Sequence, residues 1–387
     1  MEGWPCFEQD ELEAVNRVLC SGRVNYWNGE EGQCFEREFC EFHDMPHAIA
    51  LANGTLALEL ALHALGVGPG DEVVVTPRSF IASVSCVVAR GARPVFADVD
   101  PDSGNLTAES VGVVITPRTR AIIAVHLAGW PCDLDALRNL ADRHGLWLIE
   151  DCAQAHGASW RGRRVGSVGD AAAFSFCTDK IISTGGEGGM LLLRDEKAWE
   201  RAWSYKDHGK AWHEVQVDHP PGFRWLHTSF GTNWRLTEMQ AAIGRLQLRK
   251  LPGWLDRRRE NAAVLSERLG ALPGLRWPLP PAGAEHACYK AYAFVEPESL
   301  RSGWSRNAIV ETIQARGVGC LHGGCSEIYL ERAFDGTDYR PADRLPVARR
   351  LGETSLMFLV DHTRTPEVMR RVADVVEAVM REAVWTR

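Results

Sequence analysis

No apolar run in this 387-residue chain approaches the roughly 18–20 residues that a membrane-spanning helix requires, so no membrane partner is expected. The opening residues, Met1-Glu2-Gly3-Trp4-Pro5, lack a basic stretch followed by an apolar one and do not read as a secretory signal peptide. A basic surplus is missing too. The net charge of −8 and the pI near 5.9 argue against a nucleic-acid surface and leave room only for a local basic pocket that holds a phosphate. No CxxC pair occurs, and the eleven cysteines are odd in number and scattered. In a chain long enough to bury its own core, that pattern argues against a disulfide scaffold and for a reducing, cytoplasmic setting. Cys34, Cys40, His43 and His47 are neighbours in sequence, but Cys34, Phe35, Phe39 and Phe42 fall on one apolar helix face, which favours packing over zinc. Cys320 and Cys325 are read the same way, and no metal is expected. No internal repeat or low-complexity tract is present.

What the chain does have is length and alternation. Its length predicts two domains, a large one over 1–250 and a smaller one over 251–387. Short β-rich runs are expected at 47–52, 72–76, 94–98, 121–126, 147–150, 172–176 and 189–194. Most are continuously apolar, the pattern of strands buried on both faces of a mostly parallel sheet. Helical stretches lie between them. Residues 55–65 are apolar almost all round and should be buried, and 134–144 should end at Gly145. This alternation predicts a doubly wound α/β fold. An Arg- and Leu-rich helix near 237–268 leads into the smaller domain, followed by a Pro-rich loop at 278–281, a strand near 288–295 and helices near 305–316 and 365–383.

Four segments carry chemistry when taken together. Asn53-Gly54-Thr55 follows a strand and opens a buried helix; its donors and partial positive charge suit a phosphate, though a plain capped turn has the same letters. Asp151 and Gln154, in Glu150-Asp151-Cys152-Ala153-Gln154-Ala155-His156, stand at a strand's C-terminal end, where open α/β sheets bind ligands. A carboxylate there holds a protonated ring nitrogen or merely caps a helix. Ser175 and Lys180 follow another strand, before Gly185-Gly186-Glu187-Gly188-Gly189, so that an amine reaches a cofactor closely or a lysine simply lies on a loop. The fourth is Gly231-Thr232-Asn233-Trp234-Arg235, which by itself is a loop before a helix. Jointly they offer a phosphate cradle, an acid for a pyridine nitrogen and a lysine for a Schiff base, the needs of pyridoxal phosphate.

With these motifs in this order and spacing, the chain resembles the DegT/DnrJ/EryC1/StrS aminotransferases from about Trp4 to Ala378. The resemblance implies a fold-type I pyridoxal-phosphate-dependent transferase: a mostly parallel sheet in a large domain, with a smaller α+β C-terminal domain. It implies that Gly54, Thr55 and Ser175 bind the cofactor phosphate and that Phe80 stacks on its ring. Asp151 pairs with the ring nitrogen, and Gln154 approaches the ring hydroxyl. Lys180 forms the Schiff base and then shuttles protons. Asn233 reaches the phosphate from a neighbouring subunit, which implies a homodimer with composite active sites. The activity implied is transfer of an amino group from L-glutamate or L-glutamine to a keto-sugar carried on a nucleotide, for amino-sugar or polysaccharide biosynthesis.

Alternatives on the same scaffold are an aminocyclitol aminotransferase and a sugar dehydratase; a non-enzymatic regulator is the reading from another class. Dehydratase relatives carry histidine in place of the lysine, so Lys180 argues against that branch. Tyr26 and Trp27 either line the sugar pocket or pack. His126 and His208 are read as structural. Cys177 stands where many relatives have His or Gln, and Leu321-His322-Gly323-Gly324-Cys325-Ser326-Glu327 departs from the pattern of better-known nucleotide-sugar members, which leaves the sugar and the nucleotide open.

Overall fold

The computed structural model describes residues 3–218 and 220–385. Its larger sheet has seven strands: β1 (His47–Leu51), β2 (Glu72–Val75), β3 (Arg93–Phe96), β4 (Thr119–Val125), β5 (Trp147–Asp151), β6 (Ala171–Ser175) and β7 (Gly189–Leu193). The order is β1-β7-β6-β5-β4-β2-β3. Only β7 runs against the others, pairing antiparallel with both β1 and β6. The apolar runs read from the sequence form these strands, with small shifts at their ends.

The packing explains why those runs are apolar at every position. Along β4, Ala121, Ile123 and Val125 join one buried cluster, and Ile122 and Ala124 join another on the opposite face. Successive strand side chains point to opposite faces, so a sheet covered on both sides has no use for a polar alternate. The covering helices include α1 (Gln9–Ser21), α2 (Glu31–His43), α3 (Gly54–Ala64) and α4 (Leu134–His144). In α3, Leu58, Leu60, Ala61 and Leu62 are all buried, and the Asn53 side chain caps its start by accepting the Leu56 N–H at 3.0 Å. Gly145 ends α4 in the left-handed region, at φ 62°.

A second, four-stranded sheet holds β8 (Leu275–Arg276), β9 (Ala291–Val295), β10 (Cys320–Leu321) and β11 (Ser355–Phe358) in the order β8-β9-β11-β10, all antiparallel. Its core joins Ala293, Leu356 and Phe358 to Ile309, Ile313, Met369 and Val376 from helices, an α+β arrangement. The 32-residue α5 (Glu238–Leu269) links the two regions. Its Ala242 packs with Ala14 and Val18 of α1, and its Leu265 and Leu269 enter the core of the second sheet beside α6 (Pro366–Ala383). The N-terminal segment is tied to the same end, because Trp4 meets Trp254 and His362 edge-on at 5.2 and 4.7 Å. Among the described residues, no helix is long and apolar enough to cross a membrane.

Candidate active site

Parallel strands bring their C-terminal ends to one edge of a sheet, and ligands of open α/β sheets bind just beyond that edge. The registers place Leu51, Ser175 and Asp151 there: Leu51 and Ser175 both lie opposite Gly189, and Asp151 lies opposite Ala173. A cavity of ≈ 870 Å³ opens above them. Gly54, Thr55, Phe80, Asp151, Gln154, Ser175 and Lys180 all line it. Asn233 stands apart within a single chain, exposed and bridged to Asp207.

The wall beside α3 is built by close approach. A Cβ on residue 54 would stand 2.6 Å from the Ser175 Cβ, and one on residue 189 would stand 2.4 Å from the Asn53 carbonyl. Glycine at both positions lets the start of α3 press against β6 and β7. That sets a helix N-terminus, with unpaired N–H groups and a partial positive charge, beside the Ser175 hydroxyl. The arrangement suits a phosphate.

Asp151 is almost fully buried at the end of β5. It accepts the Ser83 hydroxyl at 2.7 Å and the Ala153 N–H at 3.1 Å. Burial nevertheless pushes its pKa above the ordinary carboxylate value, against those two donors and the charge of Lys180. No salt-bridge partner meets it among the described residues, so a protonated ring nitrogen would supply the missing cation. The Gln154 carbonyl oxygen accepts the Ala128 N–H at 2.8 Å, which leaves the side-chain NH₂ as the donor for a ligand. Phe80 lines the cavity with 67% of its surface exposed, free to stack on a planar ring.

Lys180 follows β6 and is held from several sides. Its ammonium lies 3.4 Å from an Asp179 oxygen and 5.3 Å from the centroid of the Tyr289 ring. The Tyr289 phenol donates to the other Asp179 oxygen. The Trp4 indole N–H donates to the Lys180 carbonyl at 2.6 Å, so the N-terminal segment fixes the lysine's main chain. Ser83, Asp179, Tyr289, Lys290 and Tyr292 also reach this cavity and were not among the candidates from the sequence. For Ser83 a signal existed, one helical turn after Phe80. For Tyr289, Lys290 and Tyr292 none did, because they come from the second sheet.

Of the remaining candidates, Tyr26, Trp27 and His126 fall outside the cavity. Tyr26 is buried, its phenol donating to Glu36 at 3.0 Å and its ring facing the Lys206 ammonium at 4.1 Å. Trp27 carries the Lys210 ammonium at 4.0 Å. Both therefore pack rather than line the pocket. His126 is structural: its Nε2 meets Glu150 at 3.0 Å, and its Nδ1 accepts the Cys132 N–H at 3.0 Å. With Cys152 these two residues form the one converging group of potential metal ligands among the described residues. Glu150 there is already bound by the N–H groups of Gly166, Val168 and Gly169. Cys177 lines the cavity with its sulfur 3.7 Å from a Glu187 oxygen.

The profile of the DegT/DnrJ/EryC1/StrS aminotransferase family matches residues 5–377. The chain belongs to that family. It is 52% identical to a crystallised aminotransferase from Psychrobacter cryohalolentis, with a TM-score of 0.96 over 98% of both chains. It is 37% identical over 367 residues to the dTDP-3-amino-3,4,6-trideoxy-alpha-D-glucose transaminase of Streptomyces venezuelae, covering 95% of this chain and 90% of that one. A third relative, the L-glutamine:2-deoxy-scyllo-inosose aminotransferase of Streptomyces fradiae, is 41% identical over 76% of this chain and 71% of its own. The DegT/DnrJ/EryC1/StrS aminotransferases use pyridoxal phosphate. The cavity fits that group on its own geometry, through the helix start at Gly54, the uncompensated carboxylate of Asp151 and the amine of Lys180.

Proposed function

We propose that this aminotransferase moves an amino group from L-glutamate or L-glutamine to the keto group of a nucleotide-linked sugar, in the cytoplasm, for amino-sugar or polysaccharide biosynthesis. The observation that carries the reading is the convergence of the Lys180 ammonium and the Asp151 carboxylate on one cavity whose floor is the N-terminus of α3. When bound, pyridoxal phosphate supplies an electron sink for the charge left on a substrate carbon that loses its proton. Gly54, Thr55 and Ser175 would hold its phosphate, and Phe80 would stack on its ring. Asp151 would keep a proton on the ring nitrogen, and Gln154 would donate to the ring hydroxyl. Lys180 Nζ would bind the cofactor covalently, yield to the donor's amine, take the proton from the donor's α-carbon and later give one to the acceptor carbon.

The reading includes a homodimer in which Asn233 completes the partner's site, and a division of each chain into 1–250 and 251–387. Support for the dimer lies in the loop before Asn233, where Phe223, Trp225 and Phe230 are 79%, 85% and 100% exposed. Bare aromatics in such a cluster favour burial against another surface. A keto-cyclitol acceptor is the second reading, favoured by the Streptomyces fradiae relative.

A visible absorbance scan tests the core of this reading. The wild-type protein is expected to be yellow with bound cofactor and to bleach on L-glutamate or L-glutamine, whereas Lys180→Ala should neither form the same band nor turn over. A colourless protein that stays colourless after added pyridoxal phosphate would overturn the reading. Keto-sugars and keto-cyclitols, offered in turn to the bleached enzyme, separate the two acceptors by which one restores the colour.

A further inference from the structure

The cofactor residues leave one part of the cavity unexplained. Lys290 lines it from the second sheet, just before β9. Its ammonium lies 4.5 Å from the centroid of the same Tyr289 ring that the Lys180 ammonium faces at 5.3 Å. Among the described residues no acceptor or carboxylate lies in contact with it. The two nearest carboxylates that act on it, Asp179 and Asp361, are committed elsewhere: Asp179 to the Tyr289 phenol and Lys180, Asp361 to Thr363 and Arg364. Burial pushes its pKa down to about 8, because the charge has lost water without gaining a partner.

Lys290 also lines a second cavity of ≈ 290 Å³, which shares Leu127, Lys290 and Tyr292 with the first. A second cation lies at the same joint. Arg78 lines this smaller cavity, is 98% buried by its 2% exposure, and stacks its guanidinium 5.4 Å from the Tyr292 ring centroid. One of its terminal nitrogens donates to Ser326, and the other has no acceptor. Burial lowers its pKa, and no carboxylate is among the groups that act on it. Burying a cation is unfavourable unless an anion meets it, so the half-buried Lys290 and the buried Arg78, which line one cavity together and of which Lys290 faces the same Tyr289 ring as Lys180, mark a place prepared for a negative charge. Gly323 and Gly324 close that place from the far side. The Gly324 N–H bonds to the Tyr292 hydroxyl at 3.0 Å, and a Cβ on residue 323 would meet that ring at 2.5 Å.

We propose that Lys290, backed by Arg78, is the anchor for a substrate carboxylate. The inference rests on the aminotransferase reading above and deepens it. One ammonium with three donors and a guanidinium edge suit a planar carboxylate. The phosphate of the cofactor already has its own cradle at α3. The carboxylate belongs either to the amino donor or to a uronate acceptor, and both would reach the joint from the position of Lys180.

The test is calorimetric titration of the holoenzyme with glutarate and with D-glucuronate, unreactive carboxylates that stand for the two sources. At least one is expected to bind wild type, and its affinity should fall about tenfold or more in Lys290→Met and return largely in Lys290→Arg. Glutarate binding assigns the anchor to the donor, and glucuronate binding assigns it to the acceptor. If neither binds, or if Lys290→Met binds as tightly as wild type, the anchor is refuted. The bleaching assay with L-glutamate or L-glutamine keeps the two readings separate. An enzyme that bleaches while carboxylates ignore Lys290 loses only this inference. One that no amino acid bleaches loses the transaminase reading, while the titration still reports on Lys290.

Discussion

The two walls of the cavity are made differently. On the side of the larger sheet, Gly54, Gly189 and Ser175 are in near contact, and the one charge left uncompensated, Asp151, faces where a cofactor ring would lie. On the side of the second sheet, Lys290 carries charge without a partner, with one unmet nitrogen of Arg78 at the adjoining smaller cavity, and a Cβ at Gly324 in the covering loop would meet open space. A tight wall with one open charge suits a ligand that stays. A looser wall with unmet cations suits ligands that come and go.

The largest expected effect falls on the tight wall. Asp151→Asn keeps the size and the Ser83 contact but cannot hold a proton on a ring nitrogen. Single-turnover bleaching should slow by about 10²–10⁴-fold, while the melting temperature of the cofactor-free protein holds or rises, since a buried charge has been removed. An equal loss of rate and stability would make Asp151 a structural residue and remove the contrast.

Gly54→Ala against Gly324→Ala compares the walls directly. The first forces a methyl to within 2.6 Å of Ser175 and should cost about 1–3 kcal/mol in denaturant unfolding, with weaker retention of pyridoxal phosphate. The second has nothing within 4 Å and should stay within about 0.5 kcal/mol of wild type. If both are neutral, the close approach at α3 is not rigid.

A smaller effect concerns pH. His156, behind the tight wall between Phe174 and Phe176, has its pKa lowered to about 3 by burial, with His43 and Lys180 adding to the shift. Its folded value lies below the ordinary histidine value of 6.5, so its contribution to stability is complete above that value and lost as the pH falls toward the folded one. In denaturant unfolding from pH 7 to 5, His156→Leu should flatten the acid limb by about 1.4 kcal/mol per pH unit below the ordinary histidine range. An unchanged limb would mean that the imidazole finds a proton acceptor in the fold.

Smallest is Trp4→Phe, which keeps the aromatic contacts to Trp254 and His362 and deletes the N–H bond to Lys180. Stability should fall by about 1 kcal/mol, and the bleaching rate should change only a few fold. A far larger loss of rate would make the N-terminal segment part of how Lys180 is aimed.

Much of the tight wall was legible in the sequence, because it is local. A strand, a turn and a helix start are encoded within a few residues. Gly54, Asp151, Ser175 and Lys180 all stand at or just past strand ends, and parallel strands must bring those ends to one edge. Tyr26 and Trp27 were less readable, since an aromatic near a pocket and an aromatic in the packing look alike as letters. Their neighbours Lys206 and Lys210 decided the matter.

By itself, the sequence determined the α/β alternation, the apolar strands of a sheet covered on both faces and the positions of Gly54, Asp151, Ser175 and Lys180, which the fold gathers around one cavity. Only the tertiary structure decided that Lys290, Tyr292 and Arg78 converge on the same space. Arg78 follows β2 of the larger sheet, whereas Lys290 and Tyr292 stand at the start of β9, more than two hundred residues later, on a sheet whose placement depends on α5 and on the packing of the two cores. Neither spacing nor periodicity records a distance between side chains that meet only after folding.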